Sequence, residues 1–331
     1  MFTLVFGIAF WWWYPSFDCY LRCARTIAAH RGSVNCLAVN PQETMFATGG
    51  DDGIVRTWSL PLYEASRFLS FKTPVSSLAI SPDGVFIAVG LYNGRISVYS
   101  LADAQQLVDF QAHDGPVVGL SYAPGGDVIA SETAFAPAEL WSSKTGASIG
   151  RLMSHESGGT AALAFIESGS QLVAPGASRG GLLIWDVESR SQRLQIAGPE
   201  AHVGSLAVSP RGDVVAAGTW HSQIHLFSLV ERRHLKSWRA HETPINSGLV
   251  FSKDGSLLAS GVAMGNVLCV PTLKVWSVET GASVDMIRMP RFGAASNGFT
   301  ALGFVADSNV LSTHADGRIR VWRIRVPTKE L

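Results

Sequence analysis

Apolar residues in this chain come in short runs separated by polar turns rather than in long amphipathic stretches. Between positions 78 and 111, apolar runs at 78–80, 85–90 and 95–99 precede a more polar run at 106–111, and a Ser-Pro-Asp-Gly turn occupies 81–84. In such a turn proline presets φ and glycine accepts a positive φ. Because no segment keeps a helical period, the pattern predicts short antiparallel strands, four to each unit.

Two landmarks recur along the chain with a similar spacing. A bulky ring follows a β-rich run at intervals of 41 to 49 residues, at Trp58, Tyr99, Trp141, Trp185, Phe227, Trp276 and Trp322. A leucine opens an apolar run at intervals of 41 to 53 residues, at Leu37, Leu78, Leu120, Leu163, Leu206, Leu249 and Leu302. Repetition of a four-stranded unit at this period is typical of propellers. The sequence therefore predicts an all-β, seven-bladed β-propeller with four-stranded antiparallel blades.

Composition narrows the class of protein. The chain has 331 residues, of which 47% are apolar and 16% are charged, and this excludes disorder over most of its length. Basic residues (Lys and Arg) and acidic residues (Asp and Glu) number 26 each, so the chain has no net charge that would attract nucleic acid. We therefore expect no nucleic acid among its partners. Four cysteines are too few for a disulfide framework, and no Asn-x-Ser/Thr site occurs. These features favour an intracellular location, cytoplasmic or nuclear.

The repeated unit resembles the WD-repeat β-propeller family over about residues 20–326. The first unit carries the whole pattern, with His30, Thr48, Asp52 followed by Gly53, and Trp58. Similar histidines recur at His113, His155, His202 and His241. The Trp-Asp dipeptide that names the family occurs in this pattern once, at Trp185 and Asp186, and serine follows the ring in five other units.

This resemblance implies that His30, Thr48, Asp52 and Trp58 form a structural hydrogen-bond tetrad. The same residue types make up a catalytic triad, but here they are expected to satisfy buried polar groups rather than to activate a nucleophile. Two other units keep fragments of the set: His113, Ser131 and Trp141 lack the acid, and Ser312, Asp316 and Trp322 lack the histidine.

Ring closure predicts a role for the beginning of the chain. After Trp322 only nine residues remain, too few for a fourth strand and its turn. A strand at about residues 20–27 is therefore expected to pair with residues 318–324 and to cover the sheet edge. The propeller would span residues 18–326, followed by a tail at 327–331 and preceded by an apolar segment at 1–17.

Motifs that suggest chemistry lack the context that the chemistry needs. Residues 176–180 match the nucleophile elbow of hydrolases, but an apolar strand pattern follows where that motif requires a helix. The pairs His155-Glu156 and His241-Glu242 lack the second histidine of a zinc helix. We therefore expect no catalytic residues, no metal site and no cofactor.

The loop face of the predicted propeller is the candidate binding surface, because aromatic and arginine side chains on loops supply most binding hot spots. In the family this face is formed by the loop that enters each blade and by the loop between its second and third strands. By position it carries Arg31, Lys72, Tyr92, Phe135, Arg179, Trp220, His221, Arg291 and Phe292. The alternative for each is packing on a neighbouring loop. Expanded loops at 262–272 and 290–298 are explained equally by function and by drift.

We interpret the chain as a non-enzymatic, monomeric scaffold that binds peptide or protein partners on its loop face. Two alternatives are a propeller enzyme with a site at the mouth of the central channel and a nucleic-acid platform. Residues 1–17 contain no charge and several tryptophans, which suits a membrane-associated anchor, a strand packed on the last blade, or a start of the reading frame that is not used.

Overall fold

The protein is built from short β-strands. The computed structural model describes residues 23–133, 136–152, 163–166, 169–176, 181–198, 201–245, 248–262, 272–288, 298–305 and 309–325. These residues contain 28 strands and no helix, and the strands form seven four-stranded antiparallel sheets. The predicted all-β, seven-bladed propeller is confirmed.

Each blade uses four strands that follow one another in the chain, except the last. Blade 1 consists of β2 (Val34–Val39), β3 (Met45–Gly50), β4 (Ile54–Ser59) and β5 (Ala65–Ser70). Blade 2 consists of β6 (Val75–Ile80), β7 (Phe86–Leu91), β8 (Arg95–Ser100) and β9 (Gln106–Gln111). Blade 3 consists of β10 (Gly119–Tyr122), β11 (Val128–Thr133), β12 (Ala136–Ser142) and β13 (Ser148–Arg151). Blade 4 consists of β14 (Ala164–Phe165), β15 (Gln171–Pro175), β16 (Leu182–Asp186) and β17 (Ser191–Ile196).

The remaining blades complete the ring. Blade 5 consists of β18 (Val203–Val208), β19 (Val214–Thr219), β20 (Gln223–Ser228) and β21 (Arg233–Arg239). Blade 6 consists of β22 (Leu249–Phe251), β23 (Leu257–Val262), β24 (Thr272–Ser277) and β25 (Ser283–Arg288). Blade 7 consists of β26 (Phe299–Val305), β27 (Asn309–His314), β28 (Arg318–Arg323) and the first strand of the chain, β1 (Cys23–Ala28).

The turn between the first two strands of blade 2 shows why the sequence pattern repeats. The N–H of Gly84 donates to the carbonyl of Ser81 at 2.8 Å, and Gly84 has a φ of 74°, in the left-handed region that glycine favours. The N–H of Phe86 donates to Ser81 Oγ at 2.8 Å, which starts the second strand. The same backbone closure recurs at Gly126, Gly212 and Gly255. A Ser-Pro-Asp-Gly-like turn therefore sets the register of successive strands.

The first strand of the chain closes the ring in the predicted way. β1 pairs antiparallel with β28, with Cys23 opposite Trp322 and Ala28 opposite Arg318. The first strands of neighbouring blades contact one another in an unbroken cycle from β2 through β26 and back to β2. Residues 20–22 of the predicted strand, the segment at 1–17 and the tail at 327–331 lie outside the described residues.

The recurring rings lie between blades, and this explains their spacing. Trp185 packs in a core cluster shared by blades 3 and 4, Phe227 in one shared by blades 4 and 5, and Trp322 in one shared by blades 6 and 7. Phe227 is 1% exposed, and burial of such a side chain stabilises the fold by about 1.5–3 kcal/mol. Each blade adds one interface, so each repeat needs one such ring.

Candidate functional site

In blade 1 the four residues of the predicted tetrad form one continuous hydrogen-bond chain. The indole Nε1 of Trp58 donates to Thr48 Oγ1 at 2.9 Å, and His30 Nε2 lies 2.9 Å from the same hydroxyl. The other ring nitrogen, Nδ1, lies 2.8 Å from Asp52 Oδ1. The chain links the loop before β2 to the second and third strands of the blade.

Burial makes this set unlike a catalytic triad. Thr48 is 0% exposed, and its hydroxyl is already bonded to two neighbours, so no substrate reaches it. Burial lowers the pKa of His30, although hydrogen bonding to Asp52 opposes that shift. For Asp52, burial raises the pKa, but hydrogen bonds from His30 and from the backbone N–H of Arg31 outweigh it and lower the pKa overall. The geometry supports a structural role for the tetrad.

Blade 6 uses a variant of the same chain. His241 Nε2 lies 2.7 Å from Ser260 Oγ, which accepts the indole N–H of Trp276 at 2.8 Å. The hydroxyl of Thr272, 2.8 Å from His241 Nδ1, takes the place of the acid. Burial lowers the pKa of His241 to about 3, and Lys274 adds to that shift. The histidine is therefore neutral at physiological pH.

Blade 7 corrects one sequence-based expectation. A histidine was expected to be missing there, but His314 Nε2 lies 2.7 Å from Ser312 Oγ, which also accepts the indole N–H of Trp322 at 2.7 Å. Asp316 pairs with Arg320 at 2.6 Å. The missed signal is the Ser-x-His spacing, because residues two apart in a strand point to the same side of the sheet. The histidine comes from within the blade instead of from the preceding loop.

The loop face is the edge where second strands end and third strands begin. Tyr92 follows β7 and Trp220 follows β19, at equivalent places in blades 2 and 5. The backbone N–H of Tyr92 donates to the Pro74 carbonyl at 3.0 Å, and that of Trp220 to the His202 carbonyl at 2.9 Å. These bonds join the loop within each blade to the loop that enters it.

The structure places the predicted face residues unevenly. Five are described and exposed: Arg31, Lys72, Tyr92, Trp220 and His221. Tyr92 is 60% exposed and Trp220 is 53% exposed, and each lines a separate cavity. Phe135, Arg179, Arg291 and Phe292 lie outside the described residues, as do most of the expanded loops at 262–272 and 290–298.

The channel cavity, about 680 Å³, lies at the end of the central channel on the loop face. Its described lining comes from the first strands and from loops of several blades, and includes Asn35, Ser76, Ser77, Trp220, Pro244 and Thr300. No Asp, Glu, Lys, Arg or His is among these described lining residues. Burial raises the pKa of Cys36, which also lines the cavity, to about 12, so its thiol stays protonated. The ionisable groups that a channel-mouth enzyme needs do not converge in this lining.

A second cavity on the loop face, the side cavity of about 830 Å³, lies between blades 2 and 3. Its polar lining includes Tyr92, His113, Asp114, Glu139 and Arg151. His113 Nε2 lies 2.6 Å from Ser131 Oγ, which accepts the Trp141 indole N–H at 2.8 Å. Val118 lines both cavities, so the two are neighbours on one face.

Other motifs that suggested chemistry gain no support from the described residues. The elbow-like segment at 176–180 lies between β15 and β16, with a strand after it, although residues 177–180 are outside the described part. Among the residues that the structure describes, no three His, Cys, Asp or Glu side chains gather at one point that suits a metal ion. Within the same residues, there is no helix of the length and apolarity needed to cross a bilayer.

The blade geometry and the sequence comparisons agree on the family. A family model described as "WD domain, G-beta repeat" matches residues 21–59, 66–100, 191–228 and 232–270. The first of these segments contains the tetrad of blade 1, and all of them lie within the seven-bladed ring. The chain is a seven-bladed β-propeller that carries WD repeats. Blades 3, 4 and 7, whose first three strands lie outside the matched segments, have the same four-stranded architecture.

Curated relatives of this WD-repeat propeller have several different names. The "Guanine nucleotide-binding protein subunit beta" of Oryza sativa subsp. japonica is 22% identical over 91% of this chain and 83% of its own length. "Telomerase protein component 1" of Mus musculus is 29% identical over 63% of this chain and 8% of its own length. "Periodic tryptophan protein 2" of Saccharomyces cerevisiae is 26% identical over 76% of this chain and 26% of its own length. Relatives of this kind fit a protein-interaction scaffold.

Proposed function

We propose that this WD-repeat propeller is a non-catalytic scaffold that binds peptide or protein partners on its loop face, at the channel cavity. The observation that carries the proposal is Trp220, which is 53% exposed and lines the cavity. Exposed tryptophans that border a concave, uncharged surface are common anchors of protein interfaces.

Trp220 is held in place before any partner binds. Its backbone N–H donates to His202, and the two side-chain rings lie 5.5 Å apart. A Cβ added at Gly204 would lie 3.2 Å from the Trp220 ring, so the glycine leaves room for the indole. A side chain already held in this way loses little conformational entropy when a partner covers it.

The polar groups of the channel cavity are engaged within the protein. The hydroxyls of Ser76 and Ser77 each donate to the carbonyl of Val117 at 2.7 Å. The Asn35 amide donates to the Val75 carbonyl at 3.0 Å. Few unsatisfied donors are therefore offered to a ligand, and burial of a charge there would be unfavourable. The segment that fits is an uncharged, largely apolar loop or peptide.

The remaining parts of the proposal follow from the same surface. A scaffold of this type needs no cofactor, and formal charge +0 gives no overall attraction to nucleic acid. The absence of an Asn-x-Ser/Thr site and the sparse cysteines support a place inside the cell. We propose a monomeric propeller as the working form.

The experiment compares two exposed apolar side chains on opposite edges of blade 5. Trp220→Ala removes the anchor, and Val230→Ala changes a 77% exposed residue between β20 and β21, away from the loop face. Partners captured by immobilised wild-type protein should be lost with Trp220→Ala and kept with Val230→Ala. A photoreactive residue at position 220 should crosslink to the same partners. Equal capture by all three proteins, with no crosslink, contradicts the proposal.

A further inference from the structure

The residues around the side cavity differ in charge from the residues at the equivalent place in blade 1. In blade 1, Asp52 accepts hydrogen bonds from the N–H groups of Arg31 and Ile54, faces His30, and pairs with Arg56 at 3.3 Å. Backbone donors and the Arg56 guanidinium therefore stabilise the negative charge of Asp52.

Blade 3 keeps the histidine but changes the charged residues around it. Asp114 follows His113 where Arg31 follows His30, and Glu139 lies opposite Ser131 in the register where Arg56 lies opposite Thr48. Pro137, which has no N–H to donate, replaces Ile54. Both basic residues of blade 1 are therefore replaced by acids, and a backbone donor is lost. An anion is disfavoured at this place, and a cation is favoured.

The polar groups around the side cavity leave specific sites open to a ligand. His113 is 8% exposed, and its Nδ1 has no hydrogen-bond partner among the described residues. Burial lowers the pKa of His113, so the ring is neutral at pH 7. Asp114 is exposed and makes no hydrogen bond or ion pair within the described part of the chain. Tyr92 presents a ring that is 60% exposed.

Glu139 brings a carboxylate to the cavity and already has hydrogen-bond partners within the protein. It is buried, and its carboxylate accepts hydrogen bonds from Ser148 Oγ at 2.8 Å and from Arg151 Nε at 2.9 Å. The Arg151 side chain is 66% exposed, and an ion pair with so exposed a partner contributes little. Among the described lining residues, two carboxylates thus accompany one largely solvated guanidinium.

We propose that the side cavity binds a basic residue, arginine in preference to lysine, of a protein partner. The guanidinium would lie over the Tyr92 ring and against the Asp114 and Glu139 carboxylates, and His113 Nδ1 would hydrogen-bond the adjoining peptide group. A planar cation suits both a ring face and carboxylates, which favours arginine. A cavity of about 830 Å³ is large enough for such a side chain with its flanking backbone.

This inference rests on the proposed function, because it assigns a second contact to the same loop face. The uncharged channel cavity with Trp220 and the acidic side cavity with Tyr92 are adjacent through Val118. One partner segment with an apolar part and an arginine would therefore satisfy both.

The test measures binding of fluorescein-labelled peptides to the full chain by fluorescence polarisation at low salt. The probe is GSGRARGSG, and matched peptides carry citrulline, lysine or glutamate in place of arginine. Citrulline keeps the shape of arginine without its charge. The arginine peptide should bind most tightly, followed by the lysine peptide, and added salt should weaken its binding.

Three variants examine the separate contacts. Tyr92→Ala and Asp114→Asn change exposed side chains, and each should weaken binding of the arginine peptide about fivefold or more. Arg151→Gln removes the competing cation and keeps a donor for Glu139, so it should tighten binding. Circular dichroism checks that each variant is folded.

The outcomes separate this inference from the proposed function. Trp220→Ala should leave binding of the arginine peptide unchanged, because that residue lines the other cavity. Equal affinity for the arginine and citrulline peptides, or unchanged affinity in both Tyr92→Ala and Asp114→Asn, overturns the side-cavity proposal. Loss of partner capture in Trp220→Ala alone would still support the channel cavity as the scaffold's site.

Discussion

Removing one hydroxyl from the tetrad of blade 1 is expected to destabilise the propeller markedly. Thr48→Val keeps the shape of the side chain but leaves the Trp58 indole N–H and His30 Nε2 without the bonds they make at 2.9 Å. All three residues are buried or nearly so, and solvent does not replace the lost partner. Each buried polar group left unsatisfied costs about 1–3 kcal/mol, so the free energy of unfolding should fall by about 2–6 kcal/mol.

The assay is urea denaturation followed by circular dichroism, with Thr48→Ser as the matched control. Serine keeps the hydroxyl, as blades 3, 6 and 7 do, and loses only a methyl group, which costs about 0.8 kcal/mol. A double-mutant cycle with Trp58→Phe isolates the indole contact. Thr48→Val should cost about 1–3 kcal/mol less in the Trp58→Phe background, because the unsatisfied donor is then absent.

Two results would refute this reasoning. If Thr48→Val lowers the free energy of unfolding no more than Thr48→Ser does, the hydrogen-bond chain contributes nothing measurable to stability. If Thr48→Val lowers the free energy of unfolding by the same amount in the wild-type and Trp58→Phe backgrounds, the loss of stability does not come from the indole hydrogen bond.

Two further perturbations probe the backbone and the buried histidines. Gly94 has a φ of 84°, and a Cβ there would collide with the His113 carbonyl oxygen. Gly94→Ala should therefore lower the free energy of unfolding by more than the roughly 1–2 kcal/mol that a left-handed backbone costs. Gly115→Ala, with no atom within 4 Å of the added Cβ, is the control, and equal urea midpoints for the two variants would contradict the steric argument. His241 has its pKa lowered from 6.5 to about 3 in the folded chain, so only the unfolded chain is protonated there between those pH values. Its contribution to stability is complete above pH 6.5 and is lost as pH falls toward 3, by up to about 1.4 kcal/mol per pH unit. His241→Asn should show a shallower decline in the free energy of unfolding between pH 6.5 and 4.5, and an unchanged slope would count against this histidine.

Much of the fold was predictable because its determinants are local. The Ser-Pro-Asp-Gly-like turns and the alternating apolar runs act within one repeat, and one ring recurs in each repeat from Trp58 to Trp322. Each signal is weak alone, but it occurs in repeat after repeat. Closure by β1 was also predictable, because Ile27 stands three residues before His30 as Phe110, in the fourth strand of blade 2, stands before His113.

The candidate site was predictable only in part, because it is made by contacts between repeats. The sequence placed Tyr92 and Trp220 on loops, but nothing local shows that each borders a different cavity. His314 was missed because the expected histidine precedes its blade, whereas this one reaches Ser312 from the same strand.

The amino-acid sequence by itself determined the repeat, the strand order within each blade and the residues able to complete a tetrad, since turn chemistry and strand periodicity depend on near neighbours. Only the tertiary structure decided which charges share a cavity. Asp114, Glu139 and Arg151 come together because blade 3 brings the loop before its first strand beside its two outer strands, and the exchange of charge relative to blade 1 is visible only once Ser131 is aligned with Thr48 by strand register. Electrostatic character depends on distances through space, and those distances are set when blade 3 folds and packs beside blade 2.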